Sequence, residues 1–178
     1  MSKTLTIAGL TPMGSATPHV NRILEIIAHI QLFEDFDADE IASLARYMMS
    51  FEVPKGTEII SEGEEGDYML LILDGSIEIV KKGVNGLPAR VGVAGPGKTL
   101  GEMSVIDGEP RFASCIAETD VSFAVLDRES LSRILAEEPR MGIKLLMELL
   151  MLLNQRLRIV SNDLMKCMAE KQKRIGVR

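Results

Sequence analysis

Leu100-Gly101-Glu102-Met103-Ser104-Val105-Ile106-Asp107-Gly108-Glu109-Pro110-Arg111-Phe112-Ala113-Ser114 interrupts a series of short strands in the middle of a 178-residue chain. The segment offers a loop, room for one short helical turn, and Glu102 and Arg111 nine residues apart. Residues of these types can build an anion pocket. Amides at the start of a helical turn point at phosphate oxygens, and the local dipole adds to the attraction. Arg111 can fork onto a phosphate. Glu102, once ionised, only accepts hydrogen bonds, so it suits a sugar hydroxyl or an arginine rather than a phosphate. Gly101 permits close backbone approach.

On either side of this segment the pattern is that of strands. Apolar runs at 57–60, 68–73, 76–80, 90–94, 114–117 and 121–126 alternate with Gly, Pro and Asp punctuation. The breaks are Pro54-Lys55-Gly56, the stretch from Glu62 to Asp67, Asp74-Gly75, Asn85-Gly86-Leu87-Pro88 and Gly95-Pro96-Gly97. Asp-Gly and Asn-Gly between strands read as hairpin turns, since both central residues take positive φ. Many short strands separated by such turns predict an antiparallel roll or sandwich rather than a parallel α/β sheet.

Helical spacing brackets the strands. Ile23, Ile26, Ile27 and Ile30 recur at helical intervals, Leu32 and Phe33 follow, and Asp37 or Asp39 caps a second run through Ile41, Leu44, Ala45 and Met48. Beyond Asp127 a short helix is expected over 128–136, and Pro139 can start another that runs from Arg140 to about Ala169. On that helix Leu146, Leu150, Leu153, Leu157, Val160, Leu164 and Cys167 step by alternating fours and threes, a heptad seam. Leu145, Leu149 and Leu152 form a second stripe. One stripe can pack on the roll and the other on a partner helix, although the flanking positions carry few opposite charges. The fold class expected is therefore α+β. Residues 1–19 are a flexible tail, and 20–136 hold the N-terminal helices and the antiparallel β-roll (a double-stranded β-helix or jelly roll). The long C-terminal helix spans 137–170, and a basic tail occupies 171–178.

Several motifs in the same order resemble the cyclic-nucleotide-binding domain family, typified by the bacterial catabolite activator protein and the regulatory subunit of cyclic-AMP-dependent protein kinase. Gly101-Glu102-Met103-Ser104 followed by Pro110-Arg111-Phe112-Ala113-Ser114 is similar to the family's phosphate-binding cassette. Lys55-Gly56-Thr57, the stretch from Ser61 to Asp67, and the stretch from Leu73 to Ile79 are similar to its β-roll signature, and Gln155-Arg156-Leu157-Arg158 to its C-terminal helix. The resemblance covers about residues 20–165. It implies that Arg111 binds the exocyclic phosphate oxygens and Glu102 the ribose 2′-hydroxyl. It implies backbone contacts from Gly101, Met103, Ser104 and Ala113, with Met103 also walling the ribose. Phe112 is bulky where the family usually has a small or hydroxyl residue, and the threonine common there in cyclic-GMP-preferring relatives is absent. The resemblance therefore leans towards cyclic AMP, with cyclic GMP as the other ligand. An adenine-contacting Thr-Ser pair would fall on Val160-Ser161, so half is missing, and Asn154, Ser161 and Asn162 remain to touch the base. Phe112 and Ser114 complete the expected ligand-binding set.

A second motif competes. Gly92-Val93-Ala94-Gly95-Pro96-Gly97-Lys98-Thr99 matches the phosphate loop of nucleotide hydrolases and kinases, and Phe123 to Asp127 can pose as its strand-end aspartate. A phosphate loop must open directly into a long helix. Gly101, Asp107-Gly108 and Pro110 oppose one here, so Gly95-Pro96-Gly97 is expected to be a turn.

Composition narrows the rest. A net charge of −6 argues against a dedicated nucleic-acid binder. Cys115 and Cys167 lack metal-ligand spacing and suit free thiols in a reducing cytosol, and His19 and His29 have no catalytic partners. No apolar run is long enough to span a membrane, and the first 18 residues lack a signal peptide's core. The expectation is a cytoplasmic regulatory protein, not an enzyme, with no cofactor or metal. It would dimerise through its long helix and act on an unidentified effector protein, either alone or as part of something longer. A ligand-free dimerising scaffold, with Glu102 and Arg111 paired to each other, is the alternative.

Overall fold

Antiparallel pairing organises the centre of the chain. The computed structural model describes residues 10, 13–27, 36–83 and 85–175. Nine strands among them are β1 (Gly14–Ser15), β2 (Met49–Val53), β3 (Glu58–Ile60), β4 (Tyr68–Asp74), β5 (Ile77–Lys82), β6 (Pro88–Ala94), β7 (Thr99–Leu100), β8 (Ser114–Ala117) and β9 (Val121–Asp127). They form two sheets, ordered β1-β2-β9-β4-β7 and β3-β8-β5-β6, with every pair antiparallel. The helices are α1 (Val20–Ile27), α2 (Ala38–Arg46), α3 (Glu102–Asp107), α4 (Arg128–Glu137) and α5 (Pro139–Ile175). This is the α+β roll the residue pattern predicts.

The core has two layers because β4 and β9 are buried on both faces. Leu70, Ile72 and Val125 face the second sheet, where Phe51 and Phe123 stack with ring centroids 5.6 Å apart. Met69, Leu71, Leu73 and Leu126 face the helices and meet Ile41, Leu44, Ile134, Leu145 and Leu149. A continuous apolar run such as Met69-Leu70-Leu71-Ile72-Leu73 is what a strand covered on both sides requires. Asp37, not Asp39, caps α2. Its carboxylate accepts from the Glu40 amide at 2.8 Å while the Glu40 carboxylate accepts from the Asp37 amide at 3.0 Å.

The structure departs from the expectations at several points. Asp74-Gly75 is not a hairpin turn, because β4 and β5 belong to different sheets and the chain turns a corner there. Gly75 is held at φ +83°, and a Cβ would fall 2.2 Å from the Asp120 carbonyl oxygen. Asn85-Gly86 does lie in the β5–β6 hairpin, in a loop from Gly83 to Leu87. β2 and β7 were not expected as strands. Gly14–Ser15 pairs with β2 inside the stretch read as a loose tail, and α5 runs on to Ile175 through most of the stretch read as a basic tail. Ile30, Leu32, Phe33 and the chain's first nine residues lie outside the described residues, as do the side chains of Ile26 and Ile27.

The two cysteines occupy opposite environments. Cys115 lies in β8 facing the core, and burial pushes its thiol up to about 12, whereas Cys167 is exposed on α5. The thiolate is the reactive form. A disulfide reagent at pH 8 is therefore expected to modify Cys167 rapidly in the native protein and Cys115 only after unfolding. Rapid modification of both in the native protein would contradict this packing.

Candidate functional site

Arg111 stands at the centre of the site because two glycines make room for it. A Cβ at Gly66 would fall 2.3 Å from Arg111 Nε, and a Cβ at Gly101 would fall 2.7 Å from Nη1. Paired backbone bonds fix the arginine against the 61–66 loop. The Arg111 amide donates to the Glu64 carbonyl at 2.8 Å, and the Gly63 amide donates to the Arg111 carbonyl at 2.9 Å. Its guanidinium lies over the Tyr68 ring, 4.3 Å from the centroid, and Nη1 donates to the Gly101 carbonyl at 3.0 Å. The Tyr68 hydroxyl donates to the Ile59 carbonyl at 2.8 Å, and burial raises its pKa. Arg111 is 4% exposed, and among the described residues no carboxylate pairs with it and Nη2 has no hydrogen-bond partner.

A guanidinium taken out of water without an anion is costly, because buried charges ordinarily pair. The arrangement is therefore that of an anion receptor. Glu102 supplies the complementary half. It opens α3, is 1% exposed, and its Oε2 is likewise buried without a partner. Its Oε1 is paired with Arg156 Nη1 of α5, and Arg156 Nη2 donates to the Thr99 carbonyl at 2.6 Å. Desolvation lowers the pKa of Arg156. Glu102 and Arg111 are thus not paired with each other, contrary to the scaffold alternative.

The other expected residues divide. Gly101 turns into α3 at φ +83°, and Ser104 is buried with its carbonyl bonded to Arg128. Ala113 is buried, and Ser114 Oγ accepts from the Glu62 amide at 2.9 Å, bracing the same loop. Met103 and Phe112 are exposed, and Lys81 Nζ lies 3.9 Å from the Phe112 ring centroid. Asn154 is exposed as well, and Ser161 and Asn162 lie beyond Arg156 on an exposed stretch of α5. Sequence reading did not assign roles to Gly66, Tyr68 or Arg156. For Arg156 the Gln-Arg-Leu-Arg resemblance was a usable signal.

The competing phosphate-loop motif has a different structure. Gly92 and Ala94 end β6, the Lys98 amide donates to the Gly95 carbonyl across a turn, and Thr99 enters β7 with its side chain buried. Thr99 does not open a helix: it begins β7, and Gly101 separates that strand from the six-residue α3, so the loop-to-long-helix cradle of a phosphate loop is not formed there.

The cyclic nucleotide-binding domain model matches residues 50–138, which contain the roll, α3 and Arg111. The chain belongs to the cyclic-nucleotide-binding domain family. It is 40% identical to a cyclic nucleotide-binding domain from Methylobacillus flagellatus, covering 88% of each chain with a TM-score of 0.80. It is 27% identical to the Thermus thermophilus catabolite activator protein, covering 75% of this chain and 61% of that one, with a TM-score of 0.69. The CRP-like cAMP-activated global transcriptional regulator of Mycobacterium tuberculosis is 30% identical over 140 residues, 79% of this chain and 61% of that protein. The chain therefore spans about three fifths of the length of that curated relative. Among its described residues no helix is long and apolar enough to cross a membrane.

Proposed function

We propose that the chain is a cyclic-AMP sensor that signals through α5. The observation that supports this most is the buried Arg111 donor without an anion, set beside a buried Glu102 acceptor without a donor. A cyclic phosphate next to a ribose 2′-hydroxyl supplies one anion and one donor at adjacent positions. Arg111 would fork onto the exocyclic phosphate oxygens, with Nη2 among its donors, and Glu102 Oε2 would take the hydroxyl. Gly101, Met103, Ser104 and Ala113 would present backbone groups, and Phe112 and Ser114 would border the pocket. Because Glu102 also holds Arg156, the occupied site acts directly on α5. A ligand moves α5 only by favouring one of its positions over another. Ser161 and Asn162 are proposed base contacts, reached once α5 closes or a second copy contributes them. The relative's printed description as cAMP-activated favours cyclic AMP over cyclic GMP. No reaction is proposed, and the site is cytoplasmic in this reading. Calorimetric titration is expected to show saturable cyclic-AMP binding, tighter than cyclic GMP, and no heat with ATP and magnesium. Binding of ATP alone would defeat the assignment.

The reading extends to a homodimer through α5. Leu145 and Leu149 pack on the roll, whereas Leu146, Leu150, Leu157, Val160 and Leu164 of the other stripe are exposed, and Cys167 continues that seam. Seam residues of a parallel coiled coil face their own copies. Diamide, which accepts the two electrons and two protons released by a pair of thiols, is therefore expected to cross-link Cys167 between protomers. The double substitution Leu157→Glu, Val160→Glu is expected to abolish the cross-link. Ultracentrifugation showing a monomer for the unmodified chain would refute the dimer.

A further inference from the structure

α3 is held at both ends by arginines from different parts of the chain, and only the one at its first end, Arg156, bonds a side chain of the ligand site. At its other end Arg128, the first residue of α4, donates from Nε to the Val105 carbonyl at 2.9 Å and from Nη2 to the Ser104 carbonyl. The Ser104 carbonyl also accepts from the Gly108 amide at 3.0 Å, so Arg128 is its second donor, and a cation at a helix's last turn is favoured by the dipole. Gly108 ends α3 at φ +78°, and a Cβ there would fall 3.2 Å from both terminal nitrogens of Arg128, so glycine lets the guanidinium close on the helix. The Arg128 amide also donates to the Asp67 carbonyl at 2.7 Å.

The far end of α4 is coupled just as closely to α5. The Gly142 amide donates to the Glu138 carbonyl at 2.9 Å, and a Cβ at Gly142 would fall 2.8 Å from Leu135 Cδ2. The two helices therefore meet with no slack at their elbow. A displacement of α3 is passed to α4 by the Arg128 side chain and from α4 to α5 by the elbow.

We infer that Arg128 is a positioning residue that transmits occupancy of the site to α4 and α5 without touching the ligand. This rests on the binding reading above. Arg128 is exposed and belongs to neither core cluster, so Arg128→Gln is expected to fold. The test uses the native thiols: an environment-sensitive dye on Cys167 reports the position of α5, and calorimetry reports cyclic-AMP affinity. In the parent, binding and dye response are expected together. In Arg128→Gln the affinity is expected to stay within about threefold, under 1 kcal/mol. The dye response is expected to fall at least about fivefold, the low end of measured coupling between sites. Arg128→Lys, which keeps one cationic donor, is expected to restore part of the response, and carries the test if the glutamine variant does not fold. An unchanged response in Arg128→Gln overturns the inference. So does a parallel loss of affinity and response, because Arg128 would then be part of the binding site's framework. A parent that binds no cyclic nucleotide sinks the binding reading itself, and this inference with it.

Discussion

Arg111→Met is expected to lower cyclic-AMP affinity by a factor of about 100 to 1,000 while leaving the melting temperature of the ligand-free protein within a few degrees of the parent. The two halves of this result have one cause. In the free protein Arg111 is 4% exposed and has no anion, so it pays for its burial with one carbonyl bond and one aromatic face. Replacing a buried ion by an apolar side chain of similar volume is often neutral or stabilising. A bound phosphate reverses the balance, since charge-assisted hydrogen bonds contribute about 1.5–3 kcal/mol each. Losing a forked pair costs about 3–4 kcal/mol, and each 1.4 kcal/mol is tenfold in affinity. Calorimetry with thermal melting separates the outcomes. A structural arginine would show the opposite pattern, a collapse in melting temperature with affinity preserved in the folded fraction, and that would end the anion-receptor assignment.

How much of this was legible in the sequence depends on the range of each interaction. The roll was legible because its signals are local: alternating and continuous apolar runs, with glycines at corners. Asp37 could be recognised as a cap, though only the structure chose it over Asp39, by the reciprocal bond to Glu40. Met49-Ser50-Phe51-Glu52-Val53 alternates as a strand should, yet it abuts the α2 pattern and was absorbed into the helix boundary. β7 is two residues long and makes sense only beside β4. The Asp74-Gly75 corner carries the same dipeptide as a hairpin turn. Nothing local distinguishes a turn back into the same sheet from a turn into the opposite one.

The site followed the same rule. Glu102 and Arg111 were found because one short segment holds both. Gly66 and Arg156 were not assigned roles, because their relation to that segment exists only after folding. Gly66 lies 45 positions before Arg111 and Arg156 lies 54 positions after Glu102. The long-range glycine is recognisable only by what a Cβ would strike. The long-range arginine needs α5 laid across the roll, which the Leu145 and Leu149 stripe accomplishes by burying itself on the helical side of the core.

That placement makes Arg156 the residue on which the stability of the free protein and the signal both depend. Arg156→Ala is expected to destabilise the protein by about 2–3 kcal/mol. Removing one partner of a fully buried pair costs about 3–5 kcal/mol, because the remaining charge is left uncompensated. The lower figure applies because the Arg156 side chain is 38% exposed, so water can reach part of the gap and screen the carboxylate. For a chain of this size the loss corresponds to a fall of about 5–10 °C in melting temperature. Glu102 has nowhere to turn: it is 1% exposed at the start of α3, and its second oxygen already lacks a donor. The double variant Glu102→Gln, Arg156→Met removes both charges and is expected to recover most of the loss, a coupling that a double-mutant cycle measures directly. Cyclic AMP should also stabilise Arg156→Ala in a thermal melt, since the ribose hydroxyl would give Glu102 a donor, while the ligand loses its direct path to α5. If Arg156→Ala melts within a degree of the parent, Glu102 is not held by α5, and the proposed link from ligand to helix fails at its first step.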